Sequence, residues 1–126
     1  MEASVVVTGQ VVTIIVAVFF AGMGVYALAT PARLLAPFDI SLGSAASRAE
    51  VRGVYGGFGL AIAAMLVVSL TAPELRSGIL MTVAAALAGM AFGRLASAPD
   101  GRTSFYPNWF YFLVESVAAA ALFLVA

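Results

Sequence analysis

Cysteine and histidine are both missing from this chain, and lysine is missing too. Without cysteine there is no thiol nucleophile and no disulfide, and without histidine there is no imidazole base or acid at neutral pH. The two absences together remove the usual soft-metal and haem ligands, so no cofactor and no metal is expected. Charge is scarce as well, at 10% of the 126 residues, and six arginines balance six carboxylates to a net charge of zero. A chain with no basic excess has no electrostatic hold on a phosphate backbone, so nucleic acid is not an expected partner.

Apolar residues fill the space that charge leaves. They make up 63% of the sequence, against roughly 45–50% in soluble domains, and the mean hydropathy is +1.10. A helix needs about 20 apolar residues to cross a hydrocarbon core of about 30 Å, so the length allows about four crossings and no separate soluble domain. The expected fold is all-α: an integral membrane antiparallel four-helix bundle forming a single transmembrane domain over residues 1–126. Its helices are placed at about 4–30, 48–71, 77–97 and 108–126. The first apolar stretch ends near Ala27-Leu28-Ala29, but it is too long for a signal-peptide core and has no basic leader, so it reads as a span. Thr30-Pro31 ends it. The segment PARLLAPFDISLGSAAS, which follows, fits a short helix lying in the interface.

Ser47-Arg48-Ala49-Glu50 has capping-box spacing and marks the expected start of the second helix, with Glu50 as the third residue of the box. Pro73 stops that helix. The tight link around Pro73 makes the second and third helices antiparallel neighbours. The fourth helix is entered through Phe105, Tyr106, Trp109 and Tyr111, the residue types that favour headgroup depth. Arg33, Arg48, Arg52, Arg94 and Arg102 lie toward the first and third loops and Arg76 alone toward the other face. The positive-inside rule then puts those loops in the cytoplasm and both termini outside, and the lack of lysine with abundant alanine points to a bacterial inner membrane, so that the termini are expected in the periplasm. Small residues at four-residue spacing, Gly53/Gly57 and Gly89/Gly93, predict close helix packing inside the bundle, with dimerisation as the competing use.

The few polar residues inside the spans carry what chemistry there is. Arg52, Arg94 and Glu115 are all placed at one side of the membrane, with Glu115 about 10 Å down the fourth helix. A lone carboxylate at that depth disfavours insertion by roughly 2.5–3.5 kcal/mol, so Glu115 is expected to face inward and to pair with Arg52 or Arg94. A planar guanidinium can hold a carboxylate through two parallel hydrogen bonds, leaving Tyr55 or Tyr111 to satisfy what remains. Arg48, Arg52 and Tyr55 follow i, i+4, i+7 spacing and are predicted to share one face, with Gly56 admitting a neighbouring helix or a ligand. The candidate site is therefore Arg52, Tyr55, Gly56, Arg94 and Glu115, with Glu50 and Asp100 secondary. It reads equally as a structural ion pair and as a ligand pocket. Asp100-Gly101 also reads as a simple turn.

Glu50, Arg52, Tyr55, Gly56, Gly57, Gly93-Arg94, Asp100-Gly101 and Glu115 occur in an order that resembles the domain of unknown function 4345 family of small four-helix bacterial membrane proteins. The likeness covers nearly the whole chain, and the layout is loosely similar to the DoxX-like membrane proteins. The resemblance implies the architecture and the polar cluster, and no established activity. Three functions are then weighed. The first is a non-catalytic accessory or scaffold subunit, whose partners are the lipid bilayer and another membrane protein or a second copy. The second is a binding module for a hydrophobic small molecule such as a quinone, isoprenoid or lipid. The third, an enzyme using Glu115 as proton donor or base, ranks last because no second base or nucleophile is present.

Overall fold

The computed structural model describes residues 2–126, and among them there are helices and connecting turns and no strand. Helix α1 covers Glu2–Ala29, and a short helix α2 covers Pro31–Leu35, with Pro31 in its first turn. Helix α3 runs over Ala45–Thr71, α4 over Pro73–Ala96 and α5 over Phe110–Val125. Four stretches are long and apolar enough to cross a membrane: Glu2–Ala29, Ala45–Thr71, Pro73–Asp100 and Phe105–Val125. The protein is a multi-pass membrane protein, a four-helix bundle with the short helix α2 between its first two spans.

Neighbouring spans pack in chain order, α1 on α3, α3 on α4 and α4 on α5, and the ring closes where α5 meets α1, the loosest of the four contacts. Leu66, Leu80, Leu87 and Leu122 are fully buried at the centre, with Phe20, Val16 and Val83 around them. A smaller cluster of Ala27, Leu35 and Val51 fastens α2 under the ends of α1 and α3. The starts of α1 and α4 and the end of α5 lie together: Arg76 donates to the carbonyls of Val125 and Ala126 at 2.7 and 3.5 Å. A Cβ built on Gly9 would stand 2.7 Å from Arg76 Nη2. Gly9 therefore makes room for a guanidinium that satisfies the last carbonyls of α5, which no residue of α5 itself can do.

Three details differ from the sequence expectation, each for a local reason. Helix α3 begins a turn earlier than Ser47. Ser44 has extended backbone angles and its hydroxyl accepts from the Ser47 N–H, while Ser47 Oγ accepts from the Ser44 N–H. The capping box is Ser44/Ser47, so Glu50 is not its third residue and stands exposed. Helix α4 starts at Pro73, not near Ser77, because proline fits the first helical turn, where its missing N–H would have no partner anyway. Lastly, Arg52–Gly57 forms a π-helical turn in which the Phe58 N–H reaches back five residues to the Gly53 carbonyl. Ser44→Ala is expected to lower stability by about 1 kcal/mol and to fray the start of α3. Amide exchange at Ser47 and Arg48 is the measurement that checks this.

The helix faces that touch are not the ones with the most conspicuous glycine spacing. On Gly24 an added Cβ would sit 2.9 Å from the Gly56 carbonyl oxygen, and on Gly59 3.0 Å from the Phe20 carbonyl oxygen. Gly24, Gly56 and Gly59 thus form the close crossing of α1 and α3. Gly53, Gly89 and Gly93 have nothing within 4 Å of such a Cβ, and Gly57 meets only the carbonyl of Arg52 in its own turn, at 3.9 Å. The two GxxxG pairs expected to pack internally face outward.

Candidate functional site

Glu115 is the polar residue that the bundle hides most completely among its charged groups, at 3% exposure. It lies on the inner face of α5, between the buried Ala119 and the first turn of the helix. Arg94 reaches it from the last turn of α4. The guanidinium Nε donates to Glu115 Oε1 at 2.8 Å and Nη2 donates to Oε2 at 3.1 Å, a two-pronged ion pair that occupies both carboxylate oxygens. It is the sole ion pair among the described residues.

The rest of the guanidinium is enclosed by Tyr111, one of the two tyrosines expected beside the pair, and by Asn108 and Phe38, which were not expected there. Arg94 Nη1 donates to Asn108 Oδ1 at 3.5 Å, and Asn108 comes from the Phe105–Trp109 turn that leads into α5. The Arg94 carbon Cζ stands 5.6 Å from the ring centres of both Phe38 and Tyr111, within range of the ring quadrupoles. Phe38 and Tyr111 stack on each other at 5.8 Å, and Tyr106 stands 6.1 Å from Tyr111. The turn after α2 is thereby laid over the charged pair. Phe38 and Asn108 gave no signal in the sequence, because one lies in an interfacial segment and the other at a helix start, where neither type is unusual.

The other expected members stand apart from this cluster. Arg52 is exposed, and its Nε donates to the Leu28 carbonyl at 2.9 Å near the end of α1. Tyr55 is half-buried against the Ala27, Leu35 and Val51 cluster. Gly56 packs beneath α1, against Leu28 and the Gly24 carbonyl. The π turn supplies the physical reason: its extra residue per turn shifts the helix register, so that i, i+4, i+7 spacing through Arg52 does not keep one face. Asp100 is exposed in the short turn Ala98–Asp100 after α4, where its N–H bonds to the Ser97 carbonyl. Glu50 borders a shallow depression with Ala49, Gly53, Val54 and Phe58 on the outer side of α3.

Chemically, a carboxylate with both oxygens held by one arginine is a poor base and a poor metal ligand. Among the described residues there is no group of three or more acidic, cysteine or histidine side chains suited to a metal, and no buried side-chain nitrogen or oxygen without a partner. Arg94→Lys keeps the charge but loses one prong and the flat contact with Phe38 and Tyr111. A loss of about 1–2 kcal/mol is expected, to be read as a lowered melting temperature in detergent.

The same landmarks, Gly93-Arg94 at the end of α4, Asp100-Gly101 after it and Glu115 in α5, are set in this order along one continuous bundle, and a family model matches residues 8–126. The chain belongs to the family described as Domain of unknown function (DUF4345). No curated protein and no solved structure matches it. Membership in DUF4345 carries no activity with it, so the function rests on the geometry of this bundle.

Proposed function

We propose that this DUF4345 protein is a small non-catalytic subunit that works by contact with another membrane protein inside the bilayer. The observation that supports this reading is the placement of its glycines. Gly24, Gly56 and Gly59 serve the internal crossing, whereas Gly53, Gly57, Gly89 and Gly93 present two small-residue faces to the outside, on α3 and on α4. In lipid, where apolar burial gives little drive, such faces allow a partner helix to approach closely. Glu50 stands beside the first of them, and its carboxylate is a fitting mark for a partner arginine at headgroup depth. The reading of a ligand held jointly by Arg52, Tyr55, Arg94 and Glu115 has less support, because the first two residues stand with α1 and the last two close on each other.

The same proposal includes a bacterial inner membrane and termini on the outer side. Arg33, Arg48 and Arg102 remain as charges at the end of the bundle that would face the cytoplasm, once Arg52, Arg76 and Arg94 are set aside as held by carbonyls or by Glu115. A chain without cysteine permits a direct check: a cysteine placed at Gly101 should be labelled by an impermeant maleimide only after the membrane is opened. Function itself is tested by releasing the protein from its native membrane in mild detergent and measuring the mass of the intact species. A complex of defined mass is expected, and its loss when Gly89 and Gly93 are both changed to leucine. A strictly monomeric, partner-free species would contradict the reading.

A further inference from the structure

Where α5 meets α1 the bundle leaves a groove of ≈ 490 Å³, lined by Val12, Ile15, Val16 and Phe19 on one wall and by residues from Leu113 to Ala121 on the other, with Leu87 of α4 at its floor. Its lining residues are all apolar, and its volume lies in the range of sites that hold small molecules. It sits in the middle portions of α1 and α5, so hydrocarbon is the medium that reaches it.

The helices that wall the groove carry polar side chains toward one membrane face. Seven residues, two helical turns, return a helix to nearly the same face about 10 Å further along. Seven residues from Phe19 is Tyr26, seven from Leu87 is Arg94, and seven back from Ala118 is Tyr111. All three lead to the same membrane face, the one where α1 and α4 end and α5 begins. Arg94 stands against the Tyr111 ring. Arg94 uses three of its five N–H hydrogens on Glu115 and Asn108. Two are left on a guanidinium side chain that is 22% exposed.

We propose that this groove binds one acyl chain of a glycerophospholipid, with the ester and phosphate oxygens of that lipid accepting hydrogen bonds from Tyr26, Tyr111 and Arg94. The commitment to a glycerophospholipid follows from depth. Each rim residue lies within about one turn of a helix end, where ester carbonyls and phosphates are the acceptors a bilayer supplies, and the wholly apolar lining below suits an acyl chain. The lipid completes the weakest seam of the bundle without occupying the outward glycine faces, so this inference stands independently of the proposed partner contact.

The test uses the full chain in vesicles of phosphatidylethanolamine and phosphatidylglycerol, a fraction of the latter carrying a photoreactive diazirine in mid-chain. After irradiation, peptide mass spectrometry should find labelling at Ile15, Phe19, Val114 and Val117 several-fold above that at Met65 and Met81, which are exposed on the outer faces of α3 and α4. Ala118→Phe fills the groove and should bring its labelling down to the outer-face level; Ala121→Leu serves if the larger side chain prevents folding. Tyr26→Phe with Tyr111→Phe should reduce the phospholipid adduct retained in native mass spectra without changing the melting temperature by more than a few degrees. Uniform labelling of all exposed residues would overturn the proposal. So would groove labelling indifferent to Ala118→Phe and Ala121→Leu, or a retained adduct of isoprenoid rather than glycerophospholipid mass.

Discussion

Arg94→Ala is expected to destabilise the bundle by about 3–5 kcal/mol, because it leaves a buried carboxylate with no counter-charge. Glu115 is 3% exposed, and among the described residues Arg94 is the sole donor to its two oxygens. The reverse substitution should be milder. In Glu115→Ala the orphaned guanidinium belongs to a side chain already 22% exposed, in the last turn of α4, and a long cationic side chain so placed can turn its head to the headgroup region. Thermal unfolding in one detergent, followed by circular dichroism, should therefore rank Arg94→Ala below Glu115→Ala, with both below the unmodified chain. Equal melting temperatures for all three would mean that the pair holds nothing together.

The second large effect concerns the crossing of α1 and α3. Gly24→Ala places a methyl 2.9 Å from the Gly56 carbonyl oxygen and 3.0 Å from the Leu60 nitrogen. Both are backbone atoms that cannot turn aside, so the helices must separate, at a cost of about 1–3 kcal/mol. Gly56→Ala meets the Leu28 side chain at 2.7 Å instead, and a flexible side chain end can move, so a smaller loss follows. Gly53→Ala meets nothing within 4 Å and should leave stability unchanged or raise it by up to about 1 kcal/mol, as alanine is the better helix former. The expected order of melting temperatures is Gly53→Ala, then Gly56→Ala, then Gly24→Ala. An inverted order would place the close contact on the other glycine face and would remove the support for an outward-facing GxxxG on α3.

The spans and the pairing of Glu115 with an arginine were legible because the membrane makes the rule severe. Charges are rare in apolar helices, a deep carboxylate needs a counter-charge, and few arginines lie at its depth. Choosing Arg94 over Arg52 required something that spacing cannot provide. The π turn at Arg52–Gly57 alters which side chains share a face, and RGVYGG carries no mark that distinguishes it from six residues of α-helix. Similar ambiguity governed the start of α3, where Ser44 and Ser47 are each followed three residues on by a polar partner and only the extended backbone at Ser44 decides between them. The glycines tell the same story from the packing side. Gly53/Gly57 and Gly89/Gly93 have the spacing of a helix contact, but whether that contact is made within the chain or outside it depends on how α1 lies across α3, a property of the assembled bundle.

Asn108 and Phe38 show a further limit. Both touch the guanidinium only because the turns before α5 and after α2 fold over the end of α4. Neither residue is out of place by type, so their roles come from tertiary geometry alone. By contrast, Tyr111 could be read as a partner from its depth beside Glu115, although its contact with Arg94 is through the ring face and not the hydrogen bond that composition suggested.

A double-mutant cycle on Arg94→Leu and Glu115→Leu measures most directly whether opposite charges from two spans hold this bundle together. Each single change should be clearly destabilising, and the double change, which removes both charges and leaves apolar side chains of similar bulk, should recover most of the loss, giving a coupling of at least about 2 kcal/mol. Losses that simply add, with a coupling near zero, would contradict the account.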